Sequence, residues 1–302
     1  MKRILYIHIG NHKTATTIIQ HFSYNNFEKL KKFDLIYPKI GIPTGLFGHH
    51  NFAWEMTEDK KYNVNFGNIS KFESAFKLNK NLLISSEDFE SLKFNGSINK
   101  LLKMASKYDY EIKIILVIRK QESLFVSLIK EITRSGAEIQ NIDIMISNIL
   151  KKGYLDFLNW RFWFDYKLQL NKIYHIFKID KKSICLLWYN KENLLNNFFN
   201  LIFEASILDK INNELSQNEL SQYESLLINK SMSDLSFQML NYFNYIRKNY
   251  EIDKSRYKII KRILVNNKVF FSKDINILSK DQKKIIINHF KASNTSVINE
   301  FK

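Results

Sequence analysis

Apolar residues occur along this chain in four short runs, separated by longer stretches in which they return at helical spacing. The runs occupy residues 4–9, 81–85, 112–118 and 183–188. Runs of this length, bounded by polar residues, are typical of buried parallel strands. Helical segments at 14–27 and 121–134 follow two of them, so the pattern predicts an α/β fold in which helices flank a parallel sheet.

The second half of the chain is expected to be mostly helical. Gly153 is the last glycine, and no proline follows it. Residues 157–177 form an amphipathic stretch, and helical spacing returns from about residue 215. We therefore expect an α/β core over residues 1–210 and a C-terminal helical extension over residues 211–302. The pattern does not fix this boundary, and one domain containing both parts is the alternative.

Composition narrows the class of protein. The 302 residues are 45% hydrophobic and 25% charged, which excludes a disordered or collagen-like chain. The single cysteine, Cys185, excludes an internal disulfide and fits a reducing compartment. The start has no signal-peptide pattern, and no apolar run approaches the roughly 18 residues of a membrane span. We therefore expect a soluble, cytoplasmic protein.

The positive charge suggests several partners. The formal net charge is +16, and residues 254–273 hold seven Lys and Arg residues and no acid. This segment could attract an anionic polysaccharide or the inner face of a membrane, and a solvated helix face is the alternative. The charge also suits a nucleic-acid-binding protein, although the sequence has no helix-turn-helix, zinc or RNA-recognition signature.

The turn after the first predicted strand has the composition of an anion site. Gly10 ends the strand, and Lys13 with three threonines leads into the next helix. Amide groups at a helix N-terminus bind anions, and the lysine adds a full charge. His12 stands where a standard P-loop has glycine before its lysine, which argues against a nucleotide kinase. The alternative is a threonine-capped helix with a surface lysine.

A second anion site is predicted at the end of the third run. Arg119 follows this strand directly, and Ser127 lies eight residues later in the predicted helix. Arginine offers a bidentate fork to a phosphate, and serine offers a hydroxyl donor. An arginine at a strand end is more often a solvated charge. Arg119 and Ser127 therefore support a phosphate site only in combination with the first site.

Together, the two sites resemble those of a known family. The first is HIGNHKTATTIIQ, which is similar to the 5′-phosphosulfate loop of sulfotransferases, and the second is VIRKQESLFVS, which is similar to their 3′-phosphate motif. The segments IYP, GHHNFAW and LLISSEDF follow in the family's order, so the resemblance covers roughly residues 1–205. It is closest to bacterial sulfotransferases that act on glycans.

The resemblance implies a P-loop-like fold and a donor, 3′-phosphoadenosine 5′-phosphosulfate (PAPS), with 3′-phosphoadenosine 5′-phosphate (PAP) as product. It assigns the phosphosulfate to the loop and the 3′ phosphate to the second motif, that is, to Lys13, Thr14, Ala15, Thr16 and Thr17 and to Arg119 and Ser127. Ala15 replaces the family's usual glycine, a change that the loop should tolerate if the φ angle is negative. Asn190 stands where relatives often have glutamate, and no role is assigned to it.

The resemblance also implies catalytic roles. Lys13 is expected to stabilise the leaving phosphate oxygen. A general base is expected in the region of His49 and His50, and we favour His49, with Glu87 as the rival. Surface or capping positions are the alternative for all three. His8 is expected to be a core residue.

Two further expectations concern ligands. No group of His, Cys or carboxylate residues has metal-ligand spacing, so we expect no metal. The tryptophans Trp54, Trp160 and Trp163 could stack on an adenine or a sugar ring, but core positions are more common at their helical spacing.

The most concrete hypothesis is a PAPS-dependent sulfotransferase acting on a hydroxyl of a capsular polysaccharide, lipopolysaccharide or related glycan. The acceptor could be anionic or lipid-linked, nucleic acid is not expected as a partner, and peripheral membrane contact fits the basic segment. The alternatives are a nucleic-acid or polyanion-binding protein, a P-loop nucleotide kinase, and a protein that keeps the fold without the activity.

Overall fold

A computed structural model describes residues 2–204, 207, 232–250, 252–266 and 276–301. Its centre is a five-stranded sheet in the order β2-β3-β1-β4-β7, in which all paired strands are parallel. A separate antiparallel hairpin consists of β5 and β6. The strands are β1 Arg3–Gly10, β2 Leu35–Ile36, β3 Asn81–Ser86, β4 Tyr110–Ile118, β5 Tyr154–Phe157, β6 Trp160–Trp163 and β7 Ile184–Trp188.

Helices connect the strands and cover the sheet. In the described residues they are α1 Thr16–Asn25, α2 Phe27–Lys32, α3 His50–Thr57, α4 Glu73–Phe76, α5 Ser97–Lys107, α6 Gln121–Ser135, α7 Ile142–Lys152, α8 Tyr166–Phe177, α9 Leu194–Phe199, α10 Asp234–Asn249, α11 Lys254–Asn266 and α12 Lys280–Glu300. Short 3₁₀ turns lie at Val64–Phe66, Glu87–Ser91 and Lys181–Ser183.

Both faces of the sheet are buried because successive side chains of each strand point to opposite sides. Leu5 and Ile7 of β1 belong to the hydrophobic cluster on one face, which also includes residues of α3, α5 and α8. Tyr6, between them, belongs to the cluster on the other face with residues of α1 and α9. This two-sided burial is the reason that the strands read as continuous apolar runs. The predicted parallel α/β fold is confirmed.

The hairpin is the main departure from the predicted elements. Residues 157–165 were expected to begin a helix, but β6 occupies Trp160–Trp163 and pairs with β5. Phe162 and Trp163 are buried, and the turn passes through Leu158 with a φ of 53°. The helix α8 starts only at Tyr166, where the Asp165 side chain accepts a hydrogen bond from the Leu168 amide. Phe157, Trp160 and Trp163 are three residues apart, a spacing typical of a helix face, so spacing alone gave the wrong element.

The described C-terminal helices pack on the α/β part of the chain. Phe237 and Leu240 of α10 and Phe290 of α12 share a hydrophobic cluster with residues of α6 and α7. The expected boundary at 210 and 211 lies outside the described residues, as do the apolar positions between 215 and 227. Of the basic segment, residues 254–266 form α11, and residues 267–273 lie outside the described residues.

Among the described helices, none has the length and apolar character required to cross a lipid bilayer.

Substitutions at two glycines, Gly10 and Gly96, test how tightly the end of β1 packs. A Cβ atom on Gly10 would lie 2.3 Å from the Thr16 hydroxyl oxygen, whereas a Cβ on Gly96 would meet nothing within 4 Å. We expect Gly10→Ala to lower the free energy of unfolding by about 1–3 kcal/mol, the usual cost of overpacking. Gly96 has a φ of −61° and is the control. Gly96→Ala should change the free energy of unfolding by less than about 1 kcal/mol. Urea unfolding measures both, and equal values for the two variants would contradict the expectation.

Candidate functional site

The loop between β1 and α1 has an unusual backbone conformation. Lys13 has a φ of 66° and Ala15 a φ of 61°, so two non-glycine residues of one loop are left-handed. The sequence analysis expected the loop to tolerate Ala15 if its φ angle is negative, and this condition is not met. A left-handed alanine costs about 1–2 kcal/mol because its Cβ approaches a backbone oxygen. The rest of the structure must hold the loop in this shape.

Contacts from outside the loop hold it on both sides. The side-chain amides of Asn11 and Gln169, both fully buried, donate to each other at 3.2 and 2.7 Å. This pair joins the loop to α8. On the other side, the Arg119 guanidinium donates to the Lys13 carbonyl oxygen at 2.7 Å. Arg119, the residue expected to bind a 3′ phosphate, thus lies directly against the loop expected to bind the phosphosulfate.

The start of α1 has the features of an anion site. No side chain caps the helix at Ala15. The Thr16 hydroxyl is buried and has no hydrogen-bond partner in the described part of the chain. Thr17 is exposed. Thr14 differs, because its hydroxyl donates to the Asn11 carbonyl at 2.6 Å and closes the turn. Thr17 is therefore the exposed residue of the three, the Thr16 hydroxyl is buried without a described partner, and Thr14 uses its donor within the loop.

The Lys13 ammonium has a counter-ion in this structure. Its Nζ lies 3.2 Å from a carboxylate oxygen of Glu131 on α6, and Arg134 contacts the same oxygen at 2.9 Å. Burial opposes the charge of Glu131, but the nearby cations Lys13 and Arg134 lower its pKa overall. Lys13 is partly exposed, so its ammonium can exchange Glu131 for another anion.

The second predicted motif is only partly assembled around Arg119. The Tyr166 hydroxyl holds the Arg119 backbone by donating to its carbonyl oxygen, and the Tyr189 ring lies 5.0 Å from the guanidinium carbon. Ser127 is half-buried on α6. Among the described residues it makes no hydrogen bond with Arg119, whose guanidinium points to the Lys13 carbonyl.

A cluster of carboxylates and imidazoles lies at the end of β3, next to the loop. His50 Nδ1 is 3.3 Å from an Asp88 oxygen, and its Nε2 is 3.9 Å from Glu87. The Gln20 side chain of α1 donates to Glu87 at 2.8 Å. Two of the predicted base candidates, His50 and Glu87, are therefore neighbours in this cluster.

The same cluster includes two carboxylates that the sequence analysis missed. Glu90, which is 1% exposed, accepts from the His12 amide at 2.6 Å and contacts His12 Nδ1 at 2.7 Å. Asp88 is buried and lies 3.9 Å from the other nitrogen of His12. Both follow the predicted strand at 81–85 within five residues. Their position at the carboxyl end of a parallel strand was the available signal.

The charges of this cluster keep two histidines protonated more readily than usual. Burial opposes the charge of His12, but its hydrogen bond to Glu90 and the charges of Glu90, Asp88 and Glu87 raise its pKa overall. Burial opposes the charge of His50 as well, and Asp88 and Glu87 raise its pKa overall. These shifts favour the imidazolium forms, whose charge opposes that of the carboxylates.

His49 does not have the environment that the preference for it assumed. It is fully buried, its Nδ1 accepts from the Ser85 amide at 3.1 Å, and its Nε2 donates to the Pro38 carbonyl at 2.7 Å. Burial lowers its pKa to about 3. Because both ring nitrogens are used in holding the loop at 38–50 to β3, His49 is corrected from preferred base to structural residue.

His8 occupies the core, as expected. It is fully buried, and its Nδ1 lies 2.8 Å from the Ser85 hydroxyl. Burial lowers its pKa to about 3.

The three candidate tryptophans have different positions. Trp163 is buried, and its backbone amide and indole N–H both donate to Glu90, at 3.0 and 2.8 Å. Trp54 and Trp160 are only half-buried and flank the carboxylate cluster. Trp54 donates to Asp88 at 2.5 Å, and the Trp160 ring lies 4.9 Å from that of His12. The described residues contain no group of three or more His, Cys, Asp or Glu side chains placed to hold a metal ion.

Comparisons with known proteins give weak likenesses. No protein-family model matches the chain, and no curated protein matches it. Among solved structures, mouse sulfotransferase SULT7A1 complexed with PAP is 15% identical with a TM-score of 0.42, over 97% of this chain and 85% of that one.

Two other solved structures are also similar. A sulfotransferase from Alicyclobacillus acidocaldarius is 12% identical with a TM-score of 0.37, over 75% of this chain and 96% of that one. A structure of the PezAT chromosomal toxin-antitoxin system of Streptococcus pneumoniae is 16% identical with a TM-score of 0.32, over 76% and 86%. The first two of these three structures are sulfotransferases.

The buried histidines make stability depend on pH. An imidazole of the unfolded chain titrates near 6.5, whereas His49 in the folded protein titrates at about 3. Below about pH 6.5 the unfolded state binds a proton that the folded state does not, so stability falls as pH falls toward 3. The slope per histidine approaches about 1.4 kcal/mol per pH unit.

We therefore expect His49→Gln to lose stability less steeply than the wild type between about pH 5.5 and pH 4. Glutamine keeps one acceptor and one donor but does not titrate. His175→Gln is the control, because His175 is exposed on α8. Urea unfolding across this pH range measures the slopes, and parallel curves for wild type and His49→Gln would contradict the expectation.

Proposed function

We propose that this protein transfers a sulfuryl group from PAPS to a hydroxyl of a carbohydrate acceptor. One observation supports the proposal most directly. The loop that opens α1 brings together the Lys13 ammonium, the unpartnered Thr16 hydroxyl and the Arg119 guanidinium, which donates to the Lys13 carbonyl at 2.7 Å. Two cations and a free buried donor at one helix N-terminus suit a ligand with more than one anionic group.

The residues present fit PAPS. The buried, unpartnered Thr16 oxygen supports a ligand at this loop, because such groups are normally satisfied. Lys13, Ala15, Thr16 and Thr17 would hold the phosphosulfate through side chains and backbone amides, with Thr14 shaping the turn. Arg119 and Ser127 would hold the 3′ phosphate.

When bound, PAPS supplies the sulfuryl group, and its phosphate side is the leaving group. Lys13 places a positive charge where the leaving oxygen develops negative charge, an effect that is commonly worth a hundredfold or more in rate. Arg119 fixes the Lys13 backbone and so positions this charge. Glu131 holds the Lys13 ammonium in this structure and must give it up when an anion binds.

Glu87 is the base that the geometry supports best. It is partly exposed, its Oε2 is fixed by Gln20 at 2.8 Å, and it lies beside His50. His50 has a raised pKa, so at neutral pH it is a weaker candidate for accepting a proton. The acceptor hydroxyl would lose its proton to the Glu87 carboxylate as its oxygen bonds to sulfur. His50, when protonated, would orient Glu87.

A carbohydrate acceptor is supported by the rim of the cluster. Trp54 and Trp160 are half-buried and contact Asp88 and His12 of the cluster that contains Glu87, and indole faces suit the apolar faces of sugar rings. The proposal extends the sequence hypothesis of a capsular polysaccharide, lipopolysaccharide or related glycan to a defined surface.

The two other functions considered from the sequence fit this site less well. A P-loop kinase uses amides of the loop to bind phosphate, but the His12 amide is occupied by Glu90 at 2.6 Å. A nucleic-acid binder would place a phosphodiester near the Glu87, Asp88 and Glu90 carboxylates, whose negative charge disfavours it.

Calorimetry with PAP tests the donor half of the proposal. We expect the wild type to bind PAP, and Lys13→Ala and Arg119→Ala to bind it about ten- to a hundredfold more weakly, since each loses charged hydrogen bonds. Lys120→Ala is the matched control, because Lys120 is an exposed neighbour of Arg119 with the same charge. Absence of PAP binding by the wild type, or equal losses in all three variants, would overturn the assignment.

Transfer of radiolabelled sulfate from PAPS to a mixed pool of oligosaccharides tests the base. We expect Glu87→Gln to slow transfer by about a hundredfold or more while PAP affinity stays close to that of the wild type. Glu28→Gln removes the same charge from an exposed position on α2 and should leave transfer unchanged. Full activity of Glu87→Gln would exclude Glu87 as the base.

A further inference from the structure

The ammonium of Lys61 lies between two indole rings at the rim of the site. Its Nζ is 5.6 Å from the centroid of Trp54 and 4.8 Å from that of Trp160. Within the described part of the chain, no carboxylate pairs with this ammonium. We name Trp54, Trp160 and Lys61, together with Asp88 below them, the indole cleft.

The walls of the indole cleft come from separate elements and are held in place. Trp54, on α3, donates to Asp88 at 2.5 Å and stacks on His50 at 5.9 Å. Trp160, on β6, meets the ring of His12 edge-on at 4.9 Å. The indole cleft is therefore a built feature and not a chance proximity of surface side chains.

The Lys61 backbone is fixed near the rim as well. In the turn after α3, its amide donates to the Asp59 carboxylate at 2.9 Å. The side chain itself is exposed, so the ammonium remains open to an incoming group.

The indole cleft adjoins the proposed base. Asp88 contacts both Trp54 and His50, and His50 lies 3.9 Å from Glu87. A sugar ring packed on these indoles would thus lie near both the Lys61 ammonium and the carboxylate cluster that contains Glu87.

We propose that the acceptor is a sugar with a carboxylate, that is, a uronic acid, whose ring lies between Trp54 and Trp160 and whose carboxylate pairs with Lys61. This inference rests on the proposed function, since it names the acceptor of the same site. Indole faces take up the apolar face of the ring, and the unpaired ammonium supplies the charge complement.

The charge pattern favours a carboxylate over a phosphate. Phosphate sites commonly use an arginine fork or several cations, whereas the indole cleft offers one ammonium among the described residues. The carboxylates beneath the indoles would also repel a dianion more strongly than a monoanion. A neutral sugar would supply no counter-ion to the Lys61 ammonium.

Binding of two matched oligosaccharides tests the inference. Cellotetraose and the tetrasaccharide of β-1,4-glucuronan share their linkage and differ by oxidation at C6. Quenching of tryptophan fluorescence, in the presence of saturating PAP, gives Kd for each at low ionic strength. We expect the wild type to bind the glucuronan tetrasaccharide at least about threefold more tightly than cellotetraose, within the range for one exposed ion pair.

Substitutions at neighbouring lysines separate local pairing from net charge. Lys61→Gln should abolish the preference for the uronic sugar, and Lys61→Arg should keep it. Lys60→Gln is the matched control, since Lys60 is the exposed neighbour with the same charge, and it should keep the preference. Added salt should reduce the preference of the wild type, because exposed charges are screened.

The outcomes distinguish this inference from the proposed function. If the wild type binds PAP but binds neither sugar, or shows no preference between them, the uronic acid assignment is overturned and the proposed transfer reaction is not. If Lys60→Gln and Lys61→Gln lower the preference equally, general attraction explains it, and the assignment is again overturned. If PAP itself does not bind, the proposed function fails first.

Discussion

The site depends on hydrogen bonds that fix one strained loop, the loop between β1 and α1. Between β1 and α1 the chain passes through the left-handed region at both Lys13 and Ala15. Neither residue prefers that conformation, so the loop requires external contacts. Gln169 of α8, Glu90 after β3 and Arg119 after β4 supply them through hydrogen bonds of 2.6–3.2 Å. Three elements that are distant in sequence therefore determine where the Lys13 charge is placed.

The carboxylates next to this loop are tolerated because they are paired. Glu87, Asp88 and Glu90 lie within a few residues of one another, and unpaired they would be costly to bury. His12 and His50 contact them and acquire raised pKa values in return. The mutual compensation allows one partly exposed carboxylate, Glu87, to remain beside the loop that we propose binds an anion.

Much of the fold could be predicted from the sequence, because a sheet that is buried on both faces leaves continuous apolar runs. The four runs correspond to β1, β3, β4 and β7. The hairpin of β5 and β6 was missed because its aromatic spacing fits a helix equally well. The two-residue strand β2 is too short to leave a pattern.

Site residues could be predicted only where a charged side chain closely follows a predicted strand. Lys13 and Arg119 follow strand ends and could be selected. Glu90 also follows a strand end, but its contact with His12 could not be predicted, because the two residues lie 78 positions apart and nothing local indicates their pairing. The structural role of His49 depends on the carbonyl of Pro38 and the amide of Ser85, which only the folded chain brings together.

The ion pair between Lys13 and Glu131 has a consequence for ligand exchange. Because the ammonium already has a carboxylate partner at 3.2 Å, an arriving anion replaces an existing bond and does not meet a bare charge. Loss of the Lys13–Glu131 ion pair therefore offsets part of the attraction between Lys13 and an entering anion, and the ion pair forms again when the anion leaves. In the proposed transfer reaction, this exchange of partners would lower the affinity for the anionic donor and ease release of the anionic product.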